Sequence, residues 1–195
     1  MKRSIPFSKF FGEMNLTKKQ REDREKAAKD TEEVLLILFL VLLEQRRNHS
    51  INYEYARNEF IKEYTEVVGK YTDREFADIY VPLVAADIIN TTQKHPGDEW
   101  YLSDDRAAFI AENEALSVLN HQDYKEATDR GFTRKRWDDV KDNRERDAHI
   151  LIGGTTIPIN QKFHVGDDYM EFPHDYINGS PENLVNCRCH ITYLR

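Results

Sequence analysis

Apolar residues in the first two thirds of the chain recur at intervals of three and four. Two sets show this spacing, the first made of Phe60, Tyr64, Val67, Val68 and Tyr71 and the second of Phe76, Ile79, Tyr80, Leu83 and Val84. Residues three and four positions apart lie on one face of an α-helix. The pattern therefore predicts two amphipathic helices that bury these side chains.

Polar residues mark where these helices begin and end. Residues 17–20 (Thr-Lys-Lys-Gln) and 72–75 (Thr-Asp-Arg-Glu) each have the form of a capping box. In that motif a threonine hydroxyl and a Glu or Gln side chain bond to each other's backbone N–H groups. Pro82 predicts a kink inside the second helix, and residues 95–98 (His-Pro-Gly-Asp) predict a break after it.

A further helix is predicted after this break. Ser103 is a suitable N-cap for a helix through about Asn120. Its inward-facing residues would be Phe109, Ile110, Leu116 and Leu119. Together the caps and the apolar spacing predict four or five helices between residues 17 and 121.

Residues 34–43 form an unbroken apolar run, Val-Leu-Leu-Ile-Leu-Phe-Leu-Val-Leu-Leu, with charged residues at both ends. A helix needs about 20 apolar residues to span a bilayer, so the run is too short for a membrane segment. An exposed helix that is apolar all round aggregates in water. We therefore predict a helix buried on every side, in a core or against a partner, with Val34, Leu38 and Leu42 as partner-binding residues.

The last third of the chain has a different pattern. Five of the eight glycines and three of the six prolines follow position 130. The β-favouring segments 155–159 and 190–193 alternate with turns. Between them, residues 142–149 predict a helix that Asp142 caps, with Glu145 as reciprocal acceptor and with Arg146 and His149 on the face of Asp142.

These patterns predict an α+β protein with two regions. A helical region with a basic N-terminal arm, residues 1–125, is followed by a small Gly-rich α+β module with short antiparallel strands, residues 126–195. The helical region is expected to bind a partner, because it holds the apolar run.

Charge and cysteine content limit the classes of protein. The net charge of −7 and the pI of about 5.5 argue against a protein that coats nucleic acid. No signal peptide is recognisable, and two cysteines without one favour reduced thiols in a cytoplasm. The first thirty residues are locally basic and contain Phe7, Phe10 and Phe11. They are either a solvated arm, or an arm that docks on a larger assembly by its aromatic residues, with its basic residues near DNA or an acidic partner surface.

Both cysteines lie in the segment Val-Asn-Cys-Arg-Cys-His near the C-terminus, at Cys187 and Cys189. On a strand, residues two positions apart point to the same side, which places both sulfurs on one face and His190 on the other. This extended geometry is poorly suited to a disulfide between them.

Two interpretations of the cysteines remain open. A zinc ion can be bound by Cys187, Cys189 and His149, with His164 or His174 as fourth ligand. Alternatively, both thiols are small core residues, with His149 and Asn186 hydrogen-bonded to backbone around them. The spacing Cys-x-Cys is a weaker zinc signal than paired Cys-x-x-Cys, which favours the packing interpretation.

The charged residues of the module also have two interpretations. Arg144, Arg146 and Arg188 can form a network with neighbouring acids, or can present guanidinium groups to phosphate or to a partner's carboxylates. A cluster that contains both basic and acidic side chains favours the network.

His149 and Cys187 also resemble a catalytic base and a nucleophile, but neither a helix N-terminus nor a Gly-rich turn adjoins Cys187. The sequence contains no HExxH and no phosphate-binding loop, so we expect no enzyme.

An ordered series of residues covers about residue 131 to the C-terminus and contains Arg136, Trp137, Asp142, Arg144, Arg146, His149, Gly153, Phe163, Pro173, Asp175, Asn186, Cys187, Arg188 and Cys189. This series resembles the Mu F-like head morphogenesis family of tailed phages. The resemblance implies that these residues are the structural motif of the module.

The resemblance also implies a function. Such proteins are minor head, or minor capsid, proteins that associate with the portal vertex during capsid assembly, and some are linked to DNA packaging or ejection. It implies a structural protein of the virion head, assembled in the host cytoplasm, with the portal protein and other head proteins as partners. Neither a membrane nor a cofactor is implied, apart from the zinc considered above.

Two alternatives compete with this function. One is a metal-dependent enzyme or toxin-like effector centred on His149 and Cys187, and the other is a host-encoded helical adaptor. The substitution His149→Ala distinguishes the enzyme or effector from a structural protein. A structural role predicts loss of folding or incorporation, whereas an enzyme predicts a folded, incorporated and inactive protein.

Overall fold

The computed structural model describes residues 6–195, so the start of the predicted basic arm lies outside the described residues. Its helices are α1 (Phe7–Gly12), α2 (Lys18–Arg47), α3 (Tyr53–Val68), α4 (Arg74–Lys94), α5 (Asp104–Asp129), α6 (Asp147–Ile152) and α7 (Pro181–Leu184). Its strands are β1 (Arg134–Asp138), β2 (Thr156–Pro158), β3 (Phe163–Val165), β4 (Asp168–Met170) and β5 (His190–Leu194). About 59% of the chain is helical and the strands are antiparallel, which confirms the α+β fold class.

The described residues form two compact units. Unit 1 contains Pro6, Phe7 and Glu25–Ala115, and unit 2 contains Ser8–Arg24 and Leu116–Arg195. Helices α2 and α5 each contribute to both units. The domain boundary between residues 125 and 126 is a division made on sequence pattern, and it stays a prediction.

Side chains cap the long helices. At the start of α2, the Gln20 backbone N–H donates to Thr17 Oγ1 at 3.2 Å and the Thr17 N–H donates to Gln20 Oε1 at 3.1 Å, which confirms the first capping box. The second box is wrong by one residue, because Asp73 caps α4 by accepting the Phe76 N–H at 2.9 Å. A carboxylate is at least as good an N-cap as a threonine hydroxyl, and its charge favours a helix N-terminus.

The predicted apolar faces of α3 and α4 are only partly correct. Phe60, Tyr64, Val67 and Val68 are buried in α3, as predicted, whereas Tyr71 lies beyond the end of that helix. In α4 the buried face is Phe76, Ala77, Tyr80, Val81, Val84, Ala85, Ile88 and Ile89. Ile79 and Leu83, predicted to face inward, are 54% and 44% exposed. The buried face includes Ala77 and Ala85, which follow Phe76 and Val84 directly in the chain. Ile79 and Leu83 lie on the other side of the helix.

The apolar run in α2 is buried on one face and not on every side. Leu35, Leu38, Phe39 and Leu42 are buried, while Ile37 and Leu40 are 61% and 64% exposed. Leu38 and Leu42, predicted to bind a partner, are instead buried in the core of unit 1, and Val34 is half-buried. In the part of the chain from residue 6 onward, no helix is apolar over a stretch long enough to cross a membrane.

Helix α5 is longer than predicted. The Arg106 N–H donates to Ser103 Oγ at 3.2 Å, which confirms the cap, but the helix runs on to Asp129 instead of ending near Asn120. Leu116 and Leu119 are buried, whereas Phe109 and Ile110 are half-buried. The extension past Asn120 is polar, so apolar spacing alone does not indicate it.

The described part of the N-terminal arm begins with a short helix, and several of its apolar side chains are buried. Residues 7–12 form α1, in which Phe7 is 6% and Phe11 is 0% exposed, and Met14 and Leu16 are buried after it. Both predictions for this segment, a solvated arm or an arm that offers its aromatic residues to a partner, are therefore wrong for Phe7 and Phe11. Burial of a phenylalanine side chain contributes about 2 kcal/mol, which favours the buried positions of Phe7 and Phe11.

Unit 2 contains two small sheets. Strands β2, β1 and β5 pair in that order, with Lys135 opposite both Ile157 and Tyr193, and β3 pairs with β4 as a hairpin. The predicted strand segments 155–159 and 190–193 correspond to β2 and β5. The sheets enclose a buried cluster of Trp137, Phe163, Val165, Met170, Leu184, Cys187 and Cys189.

Candidate functional site

The segment before His149 is a turn and not a helix. Helix α6 begins at Asp147, with Arg146 as an N-cap that makes no side-chain capping bond. Asp142 instead accepts the Arg144 N–H at 2.9 Å, after Lys141 in the left-handed conformation with φ of 63°. The predicted helix is therefore wrong over residues 142–146 and confirmed over residues 147–149, and the predicted Asp142 cap is wrong. An aspartate that bonds two residues ahead offers the backbone an alternative to the helix.

His149, Cys187 and Cys189 converge at one point. His149 lies on α6, and the cysteines lie between α7 and β5; all three are buried, at 2% exposed. The Sγ atom of each cysteine is 3.5 Å from His149 Nδ1. The three ligand atoms all lie within 4.8 Å of one another.

The cysteines reach this point without forming a strand. Strand β5 begins at His190, so the predicted strand over the cysteines is wrong. Asn186 is exposed, and its φ of 58° places it in a left-handed turn before Cys187. Both sulfurs nevertheless face the same way, as the sequence predicts, and His190 Nε2 lies elsewhere, 3.4 Å from Asp138.

Neither predicted fourth ligand joins the cluster. His174 is buried, and its Nε2 lies 2.7 Å from the Cys187 carbonyl oxygen. Burial lowers the pKa of His174 to about 4, so at neutral pH the uncharged ring donates from Nε2 to that carbonyl. His164 is exposed, and its ring stacks on Tyr169 with the ring centroids 4.7 Å apart.

The two thiols behave as a coupled pair. A hydrogen bond from the Cys189 thiol lowers the pKa of Cys187, against the opposing effect of burial, and Arg146 and Arg188 lower the pKa further. The same bond, together with burial, raises the pKa of Cys189. Cys187 is therefore the more readily deprotonated of the two thiols.

Charged residues of the motif tie the turn to the C-terminal segment. Arg188 donates to both carboxylate oxygens of Asp142, at 2.6 and 2.8 Å, and is itself only 9% exposed. Arg144 donates to the same carboxylate at 3.2 Å and to Glu13 at 2.8 Å. The bonds from Arg188 and Arg144 hold the pKa of Asp142 well below its usual range. Arg146 donates to the Val185 carbonyl oxygen.

The remaining motif residues also make internal contacts. Trp137 is fully buried, and its ring packs edge-to-face on His149 and Phe163 with centroids 5.6 and 5.3 Å apart. The Pro173 carbonyl accepts from Asn120 at 2.7 Å. Asp175 accepts the Glu171 N–H at 2.8 Å, and burial raises the pKa of this carboxyl group.

Two buried cations in unit 2, Lys135 and Arg24, were not predicted from the sequence. Lys135 is 0% exposed, its Nζ lies 2.7 Å from Glu171, and it faces the Tyr124 ring at 4.8 Å. Arg24 is 2% exposed and donates to Asn120 at 2.7 Å and to Asp123 at 2.8 Å. Lys135 lies two positions before Trp137 on β1, so strand alternation already places it on the buried face.

Comparison with known proteins identifies the family. The sequence profile of Phage Mu protein F like protein matches residues 57–192, well beyond the last third on which the motif lies. No curated protein matches the chain significantly. No solved structure matches it significantly either. The profile covers more than half of the chain, so the protein belongs to the family of Phage Mu protein F like proteins, which indicates a role in phage head morphogenesis.

Proposed function

We propose that the protein is a structural minor head protein that binds at or near the portal vertex and contacts the portal and other head proteins during capsid assembly. The observation that carries this proposal is the family match over residues 57–192. A role in DNA packaging or ejection follows from the same position in the head, because the portal is the passage for DNA.

The contacts of the motif residues support a structural role. Arg188 is paired with Asp142, Arg146 donates to a backbone carbonyl, and His149 is 2% exposed. A group that acts on a substrate needs a position that the substrate can reach. These side chains instead stabilise the module, so the surface that contacts other head proteins lies elsewhere.

Exposed apolar residues of unit 1 form the proposed contact surface. On α2, Ile37 and Leu40 lie three positions apart and are 61% and 64% exposed. On α4, Ile79 and Leu83 lie four positions apart and are 54% and 44% exposed. Each pair is on one face of its helix, and large apolar side chains grouped in this way mark protein interaction sites.

Incorporation into heads tests the proposal. The full chain is co-expressed with the portal and major head proteins of its phage, and the protein content of purified heads is measured. We expect the wild-type chain in heads that contain the portal and not in heads assembled without it. A wild-type chain that is missing from purified heads contradicts the proposal.

Substitutions test the contact surface separately. The double change Ile37→Glu and Leu40→Glu is expected to abolish incorporation while the purified variant keeps its helical content. Leu151→Glu is the matched control, because Leu151 is 82% exposed on α6 in unit 2. Equal incorporation of the double variant and the control would rule out the α2 part of this surface while leaving the head-protein assignment in place.

A further inference from the structure

We propose that His149, Cys187 and Cys189 bind a zinc ion, which joins α6 to the segment that leads into β5. The site does not depend on where the protein lies in the head. It rests on three buried side chains from two separate parts of the chain, whose ligand atoms lie within 4.8 Å of one another.

The distances fit zinc coordination. In a tetrahedral site with Zn–N bonds of about 2.0 Å and Zn–S bonds of about 2.3 Å, nitrogen and sulfur ligands lie about 3.5 Å apart. Both cysteine Sγ atoms are 3.5 Å from His149 Nδ1. An ion placed between the three atoms would therefore need little movement of the side chains.

Hydrogen bonding alone accounts for this arrangement less well. A neutral imidazole nitrogen with a lone pair accepts one well-directed hydrogen bond. Two thiols lie at the same distance from Nδ1, and His149 Nε2 is buried without a hydrogen-bond partner among the described residues. Coordination to a metal engages all three ligand atoms at once, whereas hydrogen bonding requires the bond between the two thiols and a further bond from a thiol to Nδ1.

The charge of the site selects the kind of cation. Two thiolates and a neutral histidine balance a divalent ion in a buried setting, where an uncompensated charge is costly. Soft sulfur ligands favour zinc over magnesium or calcium, which prefer oxygen. The carboxylate of Asp142 is held by the Arg188 fork and is not among the clustered ligand atoms.

The described residues supply three ligands. His174 does not complete the set, because its Nε2 donates to the Cys187 carbonyl oxygen. That bond fixes the backbone of one ligand and makes His174 a positioning residue. The fourth coordination position is therefore left for a water molecule.

Metal content and cobalt spectroscopy of the purified full chain test the site. We expect equimolar zinc by elemental analysis after purification without chelators. Replacement by Co²⁺ should give the intense thiolate-to-metal absorption of a site with sulfur ligands. A wild-type chain that contains no metal, takes up no cobalt and keeps two free thiols would overturn the proposal, as would a disulfide between the cysteines.

Variants locate the ion. Cys187→Ser and Cys189→Ser are each expected to lose the zinc and to weaken or remove the cobalt absorption. His164→Ala is the matched control, because this exposed histidine lies outside the cluster and should leave both signals unchanged. Zinc that persists in both cysteine variants is adventitious and contradicts the site. If the cysteine variants fail to fold, the cobalt titration of the wild-type chain still decides the outcome.

Discussion

At the scale of single residues, the least expected feature is the fully buried Lys135. Its ammonium group lies 2.7 Å from Glu171, which is 21% exposed, and burial lowers its pKa in spite of that partner. A buried ion pair contributes little net stability, yet removal of one partner leaves an unpaired charge in the interior. The two residues should therefore respond differently to substitution.

We predict that Glu171→Gln destabilises the protein by about 3 kcal/mol, because it leaves the Lys135 ammonium without its counter-charge. Lys135→Met, which keeps the length of the side chain and removes the charge, should cost less than about 1 kcal/mol. Chemical unfolding at pH 7 measures both values. A larger loss in Lys135→Met than in Glu171→Gln would contradict the argument.

At the scale of elements, side chains rather than hydrophobic faces set how some segments meet. In unit 1, Glu114 on α5 accepts hydrogen bonds from Tyr64 on α3, at 3.1 Å, and from Tyr80 on α4. In unit 2, the fork from Arg188 to Asp142 ties the turn before α6 to the segment before β5. Both are buried or half-buried polar contacts between elements that are distant in sequence.

Glu114 should make the stability of the chain dependent on pH. Burial raises its pKa from 4.5 to about 7, although the bonds from Tyr80 and Tyr64 oppose the shift. The folded chain thus keeps a proton that the unfolded chain has released. The free energy of unfolding therefore falls as pH rises through this interval, by about 3 kcal/mol for a shift of this size.

The variant Glu114→Gln tests this pH dependence. It keeps an oxygen acceptor for both tyrosines and removes the titration, so its advantage over the wild type should grow between pH 5 and pH 8. Chemical unfolding at several pH values measures the difference. Glu99→Gln, which removes an exposed carboxylate from the same unit, is the control. Parallel pH profiles for wild type and Glu114→Gln would show that Glu114 does not titrate in this range.

Asp142→Asn should lower the melting temperature at pH 7, because the amide cannot bind the Arg188 guanidinium through two charged oxygens. The pKa of Asp142 is lowered in the folded chain, so its contribution is present above the ordinary pKa near 3.8 and is lost as pH falls below it. Thermal unfolding from pH 7 to pH 2 should show a constant difference between the wild type and the variant above about pH 4, and a difference that begins to narrow below it. Glu145→Gln, in the same turn, is the control. An equal fall in melting temperature in that variant would show that the pairing of Asp142 with Arg188 is not the cause of the loss.

At the scale of the whole molecule, the motif and the proposed contact surface lie in different units. The motif residues belong to unit 2, and the exposed apolar pairs of α2 and α4 belong to unit 1. The family profile matches residues 57–192, which include most of unit 1 and most of unit 2. This separation allows substitutions that disturb folding of the module to be distinguished from substitutions that disturb contact with other head proteins.

The sequence by itself determined what depends on neighbours along the chain: the helix caps at Thr17 and Ser103, the break at residues 95–98, the strands β2 and β5, and the motif of the family. Only the tertiary structure decided which faces are buried and which polar groups meet. It exposed Ile37 and Ile79, buried Lys135, turned residues 142–146 away from a helix, and brought His149 to the two cysteines. Local propensity is summed over a few residues, whereas burial and side-chain pairing depend on segments far apart in sequence, such as α6 and residues 187–189.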